Sequence, residues 1–301
     1  MKLATTISDF DAYTDSTFDK ILHCADAGFR YLDYSFGSDF ARGDGCFSTD
    51  WERYTKNVLR FAEERGLTFV QAHSPMGHPI IKNDRWEGFM AATKRCIECC
   101  QILGIPNIVI HSGYNYNLSR EETFEQNKQF YEALLPTAER CGVNILTENF
   151  NKMCVDNLYW VDNAQDERDL IDYIGHPLLH ACWDAGHGNM NDRSQDESLR
   201  ILGSHVYALH VQDNLANDDH HFAPFFGTMN PDSLMHGLQE IGYHGYFTFE
   251  AGNLMLPAYK RKPYPQDTRL AQAPLFLKKQ AEALLYNIGK YILETYDCFE
   301  G

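Results

Sequence analysis

Strand-like and helix-like segments alternate along nearly all of this 301-residue chain. Short runs of β-branched and aromatic residues predict strands, and longer runs with apolar residues at helical spacing predict helices. Eight strand–helix pairs follow one another without a Gly/Ser-rich or Pro-rich linker. Such a pattern over about 300 residues favours the α/β class, as one (β/α)8 barrel that forms a single domain over residues 1–301. No GxGxxG or Walker motif follows a predicted strand, which disfavours an open nucleotide-binding sheet.

The predicted strands cover residues 3–7, 31–36, 68–72, 107–110, 144–147, 177–181, 205–209 and 246–249. The predicted helices cover residues 16–28, 51–66, 86–104, 121–142, 166–175, 198–203, 231–242 and 269–296. Ser119 is the predicted N-cap of the helix at 121–142, because its hydroxyl can accept a hydrogen bond from a free backbone N–H. The long last helix either closes the barrel or packs against a second copy, so a homo-oligomer is an open alternative.

The formal net charge of -16 restricts the partners of the chain. A field of that sign repels DNA and RNA and gives no attraction to anionic lipid. The clearest basic run, Lys260, Arg261 and Lys262, is predicted to be a solvated loop rather than a phosphate site. No apolar run approaches the roughly 20 residues that span a bilayer. We therefore expect neither nucleic acid nor a membrane as a partner.

The first residues and the cysteines indicate the compartment. The amino-terminal segment contains one lysine and then turns polar and acidic, without the apolar stretch of a secretory signal. Nine cysteines are an odd number in a long chain, which favours reduced thiols. Cys96, Cys99 and Cys100 fall inside a predicted helix with no second CxxC, so we predict core packing rather than a zinc or redox site. A cytoplasmic location is expected.

Reactive side chains follow six successive predicted strands. They are His73, His111, Glu148, Asp184 with His187, His210 and Glu250. The carboxyl ends of barrel strands converge on one face, so these side chains should meet there. Carboxylates and imidazoles forced together are costly unless a cation holds them. Two Glu, one Asp and one His suit a single divalent ion, Mn²⁺, Co²⁺, Mg²⁺ or Zn²⁺, with manganese as our first choice, although ligand type alone does not decide.

Seven stretches of the sequence carry a resemblance to known enzymes. They are AHSP, HSG, TENF, CWDAGH, ALHVQDN, DDHHFAPFFG and GYHGYFTFEAG. Through them nearly the whole chain resembles the xylose isomerase-like TIM-barrel superfamily, which includes sugar isomerases and epimerases, inosose dehydratase and endonuclease IV. The resemblance implies one divalent metal held by Glu148, Asp184, His210 and Glu250. It also implies that His187 contacts the substrate.

The resemblance further implies a small sugar or polyol substrate whose carbonyl is polarised by the metal. One of Glu148 and Glu250 removes a proton from the adjacent carbon to give an enediolate, and either carboxylate returns it. Return on the opposite face gives epimerisation, and transfer between carbons gives isomerisation. Other expected substrate contacts near the strand ends are His73, His111, His221, Trp183 and Asn214.

The sequence departs from the ketose 3-epimerases of this superfamily at two places. Those enzymes usually carry a second Glu soon after the first metal Glu, and residues 149–154 contain none. They also carry an Arg after the metal His, and residues 211–221 contain none. Both departures disfavour a free-ketose 3-epimerase. Another isomerase remains open, as does a dehydratase or lyase in which the enolate of a polyol-like or glycoside substrate expels a β-leaving group.

A rival interpretation is a phosphodiesterase similar to endonuclease IV, which uses three zinc ions. Its nine ligands find matches at His73, His111, Glu148, Asp184, His187, His210, Asp219, His221 and Glu250. The negative charge opposes this interpretation, because it is wrong for gripping a duplex. Many aromatic residues near the strand ends suit a closed small-molecule cleft instead. A non-catalytic sugar-binding protein is disfavoured because the Glu/Asp/His/Glu set is complete.

Overall fold

A computed structural model gives the structure of residues 1–151, 160–191, 193–255, 262 and 264–301. The strands are β1 (Lys2–Thr6), β2 (Tyr31–Ser35), β3 (Thr68–His73), β4 (Asn107–Val109), β5 (Asn144–Glu148), β6 (Leu179–Asp184), β7 (Val206–His210) and β8 (Tyr246–Phe249). They form one parallel sheet in the order β7-β6-β5-β4-β3-β2-β1-β8.

The two ends of this sheet meet just past the carboxyl end of β7. The Val211 N–H donates a hydrogen bond of 2.8 Å to the Thr248 carbonyl, and the Glu250 N–H donates one of 3.2 Å to the Val211 carbonyl. The sheet is therefore a nearly closed barrel. This confirms the predicted (β/α)8 TIM-barrel fold.

Helices surround the barrel and follow its strands. They are α1 (Thr17–Ala27), α2 (Gly37–Arg42), α3 (Trp51–Glu63), α4 (Trp86–Leu103), α5 (Arg120–Cys141), α6 (Ala164–Ile174), α7 (Ala185–Asn189), α8 (Gln195–Leu202), α9 (Pro231–Glu240) and α10 (Leu275–Thr295). Four short 3₁₀ turns lie at Ile7–Phe10, Gly45–Phe47, Gly203–His205 and Gly252–Leu254.

The core has two layers because successive side chains of a strand point to opposite faces. Val109, Leu146, Cys182 and Ala208 form a small cluster inside the barrel. A much larger apolar cluster fills the space between the sheet and the helices. The interior cluster lies directly below the carboxyl ends of its strands, so the next interior position on each strand opens onto the face that these carboxyl ends form.

The helix ends show where local sequence decides structure. Ser119 caps α5 as predicted, in a reciprocal pair in which its hydroxyl accepts from the Glu122 N–H at 3.2 Å and its own N–H donates to Glu122 Oε2 at 2.8 Å. The last helix begins at Leu275 rather than at residue 269, directly after Pro274. Proline disfavours a helical conformation of the residue before it, which explains the later start.

The sequence analysis missed α2 and α7. The α7 sequence AGHGN contains two glycines, which are poor helix formers. This helix forms because the Asp184 carboxylate accepts a hydrogen bond of 2.6 Å from the His187 N–H and caps its first turn. The same side chain is a candidate metal ligand, so the short helix also fixes the position of that carboxylate.

The last helix, α10, closes the barrel, which was one of its two predicted roles. Gly289 lies against Leu3 of β1 and Phe249 of β8 so closely that an added Cβ would come within 2.6 Å of both side chains. Tyr286 packs edge-on against Phe29, with ring centroids 5.2 Å apart. The face of α10 that carries Gly289 and Tyr286 therefore packs against this same chain.

Three other expectations can be compared with the structure. Cys96, Cys99 and Cys100 are fully buried in α4, which confirms their predicted core packing. In the basic run, Lys260 and Arg261 lie outside the described residues. Within the described ranges, no helix has the combined length and apolar character that crossing a bilayer requires.

Candidate functional site

The candidate site lies at the carboxyl ends of the strands, and strand alternation explains its composition. Each reactive residue follows an interior-facing residue by two positions: Val109 precedes His111, Leu146 precedes Glu148, Cys182 precedes Asp184, and Ala208 precedes His210. Residues two apart on a strand share a face. The reactive side chains therefore point into the mouth of the barrel.

Glu148, Asp184, His210 and Glu250 form what we call the central group. One ligand atom from each lies within 4.8 Å of the others. Asp184 and His210 are register partners on β6 and β7. His210 Nδ1 lies 2.9 Å from Glu148 Oε1 and 3.7 Å from Glu250 Oε2. Donors about 2.1 Å from a common ion lie up to about 4 Å apart, so small side-chain shifts would bring all four onto one ion.

Two buried oxygens of the central group are suited to bind a cation. Glu148 Oε2 and Asp184 Oδ2 have no hydrogen-bond partner among the described residues, although both side chains are almost completely buried. A buried carboxylate oxygen without a partner is costly. The donor set therefore fits a divalent metal, and the central group is a candidate metal-binding cluster.

The pKa values of the residues in the central group also favour a bound cation. Burial, and then the charges of Glu148 and Glu250, raise the pKa of Asp184 to about 7. Burial also opposes ionisation of Glu148, but His210 and His111 outweigh it and hold the pKa of Glu148 well below its ordinary value. Burial opposes the charge of His210 as well, yet its acidic surroundings raise the pKa of this imidazole well above the ordinary value.

A second cluster, the histidine group, contains His73, His111 and Glu148. The two imidazole Nε2 atoms lie 2.9 Å apart, and each lies near Glu148 Oε2, at 3.6 Å from His73 and 3.5 Å from His111. Burial lowers the pKa of His111 to about 3, so this imidazole is neutral and can act as a ligand or a hydrogen-bond partner. Glu148 thus belongs to two groups.

A third cluster, the outer group, contains His187, Asp219 and His221. Asp219 Oδ2 lies 3.0 Å from His221 Nε2 and 3.4 Å from His187 Nε2. Burial opposes the charge on His221, but Asp219 outweighs it and raises the pKa of His221 to about 10. The two imidazoles in turn overcome burial and hold the pKa of Asp219 well below its ordinary value.

The loop after β7 brings the outer group into place. Asp213 and Phe222 pair through two backbone hydrogen bonds of 2.8 Å, which folds the loop back over the barrel. His221 has a φ of 53°, an uncommon value for a residue with a side chain. The His221 ring Nδ1 lies 2.7 Å from the Glu250 carbonyl oxygen, and the His221 carbonyl accepts a hydrogen bond of 3.1 Å from the Asn253 N–H. These contacts hold the imidazole beside Glu250.

Supporting residues that the sequence analysis missed lie behind the ligands. Asp33 Oδ2 is 3.3 Å from His210 Nε2 and accepts a hydrogen bond of 2.8 Å from Gln71. Gln212 donates to both Asp184 and Asp219, at 3.3 and 2.9 Å. The sequence signal that could have identified Asp33 is a charged residue at an interior position of the strand YLDYS.

Trp183 and Asn214, two predicted substrate contacts, contact other parts of the fold than the histidines of the site do. Trp183 is buried on the helix side of β6, where its indole N–H donates to Gln195 on α8 at 2.8 Å. Asn214 donates to the Gly186 carbonyl at 2.7 Å and accepts from Asn189 at 2.9 Å. The structure places Trp183 in helix packing and Asn214 in a contact that joins the loops after β6 and β7.

Comparison with known proteins gives the family. The family model described as "Xylose isomerase-like TIM barrel" matches residues 21–280. An uncharacterized protein of Sinorhizobium fredii, y4fM, is 26% identical over 202 residues, which are 63% of this chain and 58% of that relative.

Solved structures share the fold. The D-psicose 3-epimerase of Clostridium cellulolyticum H10, solved with D-tagatose, has a TM-score of 0.75 at 16% identity and covers 97% of this chain and 99% of its own. The 3-keto-D-glucoside 4-epimerase of E. coli has a TM-score of 0.70 at 17% identity and covers 95% and 99%. The family model covers most of the chain, which shows that the chain belongs to the xylose isomerase-like TIM barrel family.

Proposed function

We propose that this protein is a divalent-metal-dependent isomerase or epimerase that acts on a sugar or polyol. The observation that carries the proposal is the central group, in which three carboxylates and one imidazole converge at the mouth of the barrel. Two of its buried oxygens have no hydrogen-bond partner among the described residues. Family membership supports an enzyme with its site on this face. The two epimerases named above support sugar chemistry on the same fold.

The central group would hold the ion, which supplies positive charge to polarise a sugar carbonyl. Glu148 and Glu250 come from different strands and border the same space, so one can remove the proton next to the carbonyl and the other can return it. The side chain of Glu250 is 23% exposed whereas that of Glu148 is 1% exposed. We therefore assign the first contact with a substrate C–H to Glu250.

The remaining imidazoles suit substrate binding. His187 and His221 both pair with Asp219 and flank the central group, so we place them next to the bound substrate. His73 and His111 lie on its other side, beside Glu148. A lyase or dehydratase would use the same base and the same ion, with a β-leaving group expelled in place of the second proton transfer.

A second candidate function, a multi-metal phosphodiesterase, is favoured by one specific observation. All nine residues that match the endonuclease IV ligands fall into the central, histidine and outer groups, and Glu148 is common to two of them. Clustered metals can cleave phosphodiesters. The net charge of -16 opposes binding of a nucleic acid duplex, so the sugar enzyme remains our conclusion.

The test is metal content per chain by elemental mass spectrometry, followed by incubation with ketoses, aldoses and inososes in D₂O. We expect about one Mn, Co, Mg or Zn per chain, and deuterium exchange at the carbon next to the carbonyl of a sugar that turns over. About three Zn per chain with cleavage of abasic-site DNA would instead establish the second candidate. Bound metal without exchange, turnover or cleavage would contradict both.

A further inference from the structure

Gln212 is a fully buried glutamine next to the central group. It lies two positions past His210, where β7 has ended, and Val211 between them is fixed to the end of β8 by two backbone hydrogen bonds. Residues two apart in an extended segment share a face, so Gln212 points into the mouth of the barrel as His210 does. Glutamine is mostly exposed in proteins, so a fully buried one at this place needs specific hydrogen bonds.

The amide nitrogen of Gln212 makes those hydrogen bonds with two carboxyl groups. Nε2 donates to Asp219 Oδ1 at 2.9 Å and to Asp184 Oδ1 at 3.3 Å. An amide NH₂ has two hydrogens, so both acceptors can be served at once. The opposite orientation would set the amide oxygen against the Asp219 carboxylate, which as an anion only accepts. The nitrogen therefore has to lie on this side.

Each hydrogen bond leaves the other oxygen of the carboxyl group for a partner in the site. Asp184 Oδ1 also accepts from the His187 N–H at 2.6 Å, and Asp184 Oδ2 is one of the buried oxygens without a partner among the described residues. Asp219 Oδ2 lies 3.0 Å from His221 Nε2 and 3.4 Å from His187 Nε2. Gln212 thus orients one carboxyl group in the central group and one in the outer group.

Gly186 makes room for the amide of Gln212. A Cβ added at Gly186 would lie 2.1 Å from both Cδ and Oε1 of Gln212, so any other residue there would displace the amide. Asn214 holds the Gly186 carbonyl at 2.7 Å, which keeps this backbone in place. Glycine is the residue that allows so close an approach. The glycine that follows Asp184 by two positions is therefore explained by the position of Gln212.

Asp219 depends on such an anchor because it lies on the long loop between β7 and α9. This loop contains three of the four non-glycine residues with positive φ that the structure describes, namely Ala216, His221 and Phe225. Backbone conformations of this kind persist only where the surrounding contacts enforce them. Gln212 contacts the loop at the reactive carboxylate itself, from a segment that is fixed to the barrel.

We propose that Gln212 is a positioning residue that holds Asp184 for the metal and Asp219 for the imidazoles of the outer group. One amide would then fix the distance between the metal and the side of the site that we assign to substrate binding. The effect on substrate rests on the proposed function, whereas the effect on metal concerns the central group alone. One substitution should therefore weaken metal binding and substrate binding by separate routes.

The first measurement is the affinity of the full-length, metal-free protein for Mn²⁺, by competition with a fluorescent chelator. Gln212→Met keeps a similar side-chain length but cannot donate, and we expect it to lower the affinity about tenfold. Gln212→Leu removes the same donor with a different shape and should give the same result. Gln101→Met, at an exposed glutamine of α4, is the matched control and should bind as the wild type does. Wild-type affinity in both Gln212 variants would overturn the proposal.

The second measurement follows the imidazoles by nuclear magnetic resonance of metal-free protein with isotope-labelled histidine, and needs no turnover. Gln212→Met should shift the ring-nitrogen signals of His187 and His221, because Asp219 loses its anchor. The signals of His180, at the amino end of β6, should stay unchanged. Unshifted signals of His187 and His221 would contradict the role of Gln212 in the outer group.

A double-mutant cycle separates positioning from a general loosening of the fold. For a sugar that turns over, Gln212→Met should raise KM about two- to tenfold, as expected for loss of one hydrogen bond. This increase should disappear in an Asp219→Ala background, because Gln212 acts on substrate through Asp219. Increases that add in the double variant would overturn the proposal. Loss of folded structure in both Gln212 variants, measured by circular dichroism, would also overturn it.

The same measurements distinguish this proposal from the proposed function. Lowered Mn²⁺ affinity and shifted imidazole signals without turnover of any sugar would support the role of Gln212 and contradict the isomerase. Turnover of a sugar with wild-type Mn²⁺ affinity and unshifted signals in Gln212→Met would do the reverse.

Discussion

The central and outer groups contain the same types of residue but balance their charges differently. The outer group sets one carboxylate, Asp219, between two imidazoles whose pKa values are raised, so it has no excess of negative charge. The central group sets three carboxylates around one imidazole, and two of their oxygens have no hydrogen-bond partner in the part of the chain that the structure describes. An excess of buried carboxylates favours a bound cation, whereas a cluster with no excess of negative charge can persist as a set of ion pairs.

The central and outer groups also differ in the exposed fraction of their side chains. The side chains of Asp184 and His210 in the central group are 0% and 1% exposed, whereas those of Asp219 and His221 in the outer group are 17% and 24% exposed. Water therefore screens Asp219 and His221 in part and leaves Asp184 and His210 in a low dielectric, while Glu250 at 23% and His187 at 2% exposed are the exceptions in their groups. We therefore expect the central group to bind metal most strongly and the outer group to contact substrate.

The largest expected effect is that of Glu148→Gln, which removes a charge shared by the central and histidine groups. Turnover should fall by about 10²–10⁴-fold or more, because a ligand and an acid–base group are lost together. Glu250→Gln should also abolish turnover. Steady-state kinetics and circular dichroism would check activity and folding, with Glu121→Gln on exposed α5 surface as the control. Near-wild-type activity in either site variant would contradict the mechanism.

Asp33→Ala should act through His210. With the carboxylate present, the Nε2–H of His210 is oriented toward Asp33, and Nδ1 remains available to the central group. Loss of such a supporting partner typically lowers metal affinity about 10–100-fold. Titration against a fluorescent chelator would measure this. Asp33→Asn retains an acceptor and should lose less, and equal affinities for all three proteins would exclude a positioning role.

Metal affinity should depend on pH through Asp184. Because the pKa of this carboxyl in the metal-free protein is about 7, protons occupy it below that pH and a metal must displace them. The affinity should therefore fall about tenfold for each pH unit below 7 for this one proton, and it should level off for this group above 7. Chelator competition between pH 5.5 and 8.5 would show the trend. A pH-independent affinity would indicate that metal does not bind at Asp184.

Asp219→Asn should have the smallest effect. It removes the charge that pairs with His187 and His221 and leaves the central group unchanged. We expect metal content to stay at about one ion per chain and kcat/KM to fall about tenfold or less, mainly through KM. His187→Ala should likewise weaken substrate use. A loss of one bound ion in Asp219→Asn would mean that the outer group also holds metal, and would favour the phosphodiesterase.

The sequence by itself determined the barrel and most of the ligands. Alternating segments predict the (β/α)8 order because each segment must bury one apolar face. The residue pairs Leu146/Glu148 and Ala208/His210 also follow from sequence, because residues two apart on a strand share a face. The same rule places Trp183, the direct neighbour of Asp184, on the opposite face, a consequence that the motif alone does not reveal.

Only the tertiary structure decided which groups meet and how their charges are balanced. Asp33 on β2 reaches His210 on β7, although 177 positions separate them in the chain. Asp219 and His221 reach the site on a loop held by long-range hydrogen bonds, and no local periodicity predicts that path. Contacts of this kind depend on barrel closure, because closure makes neighbours of residues that are far apart in the sequence. Local secondary-structure propensity carries no information about such pairs.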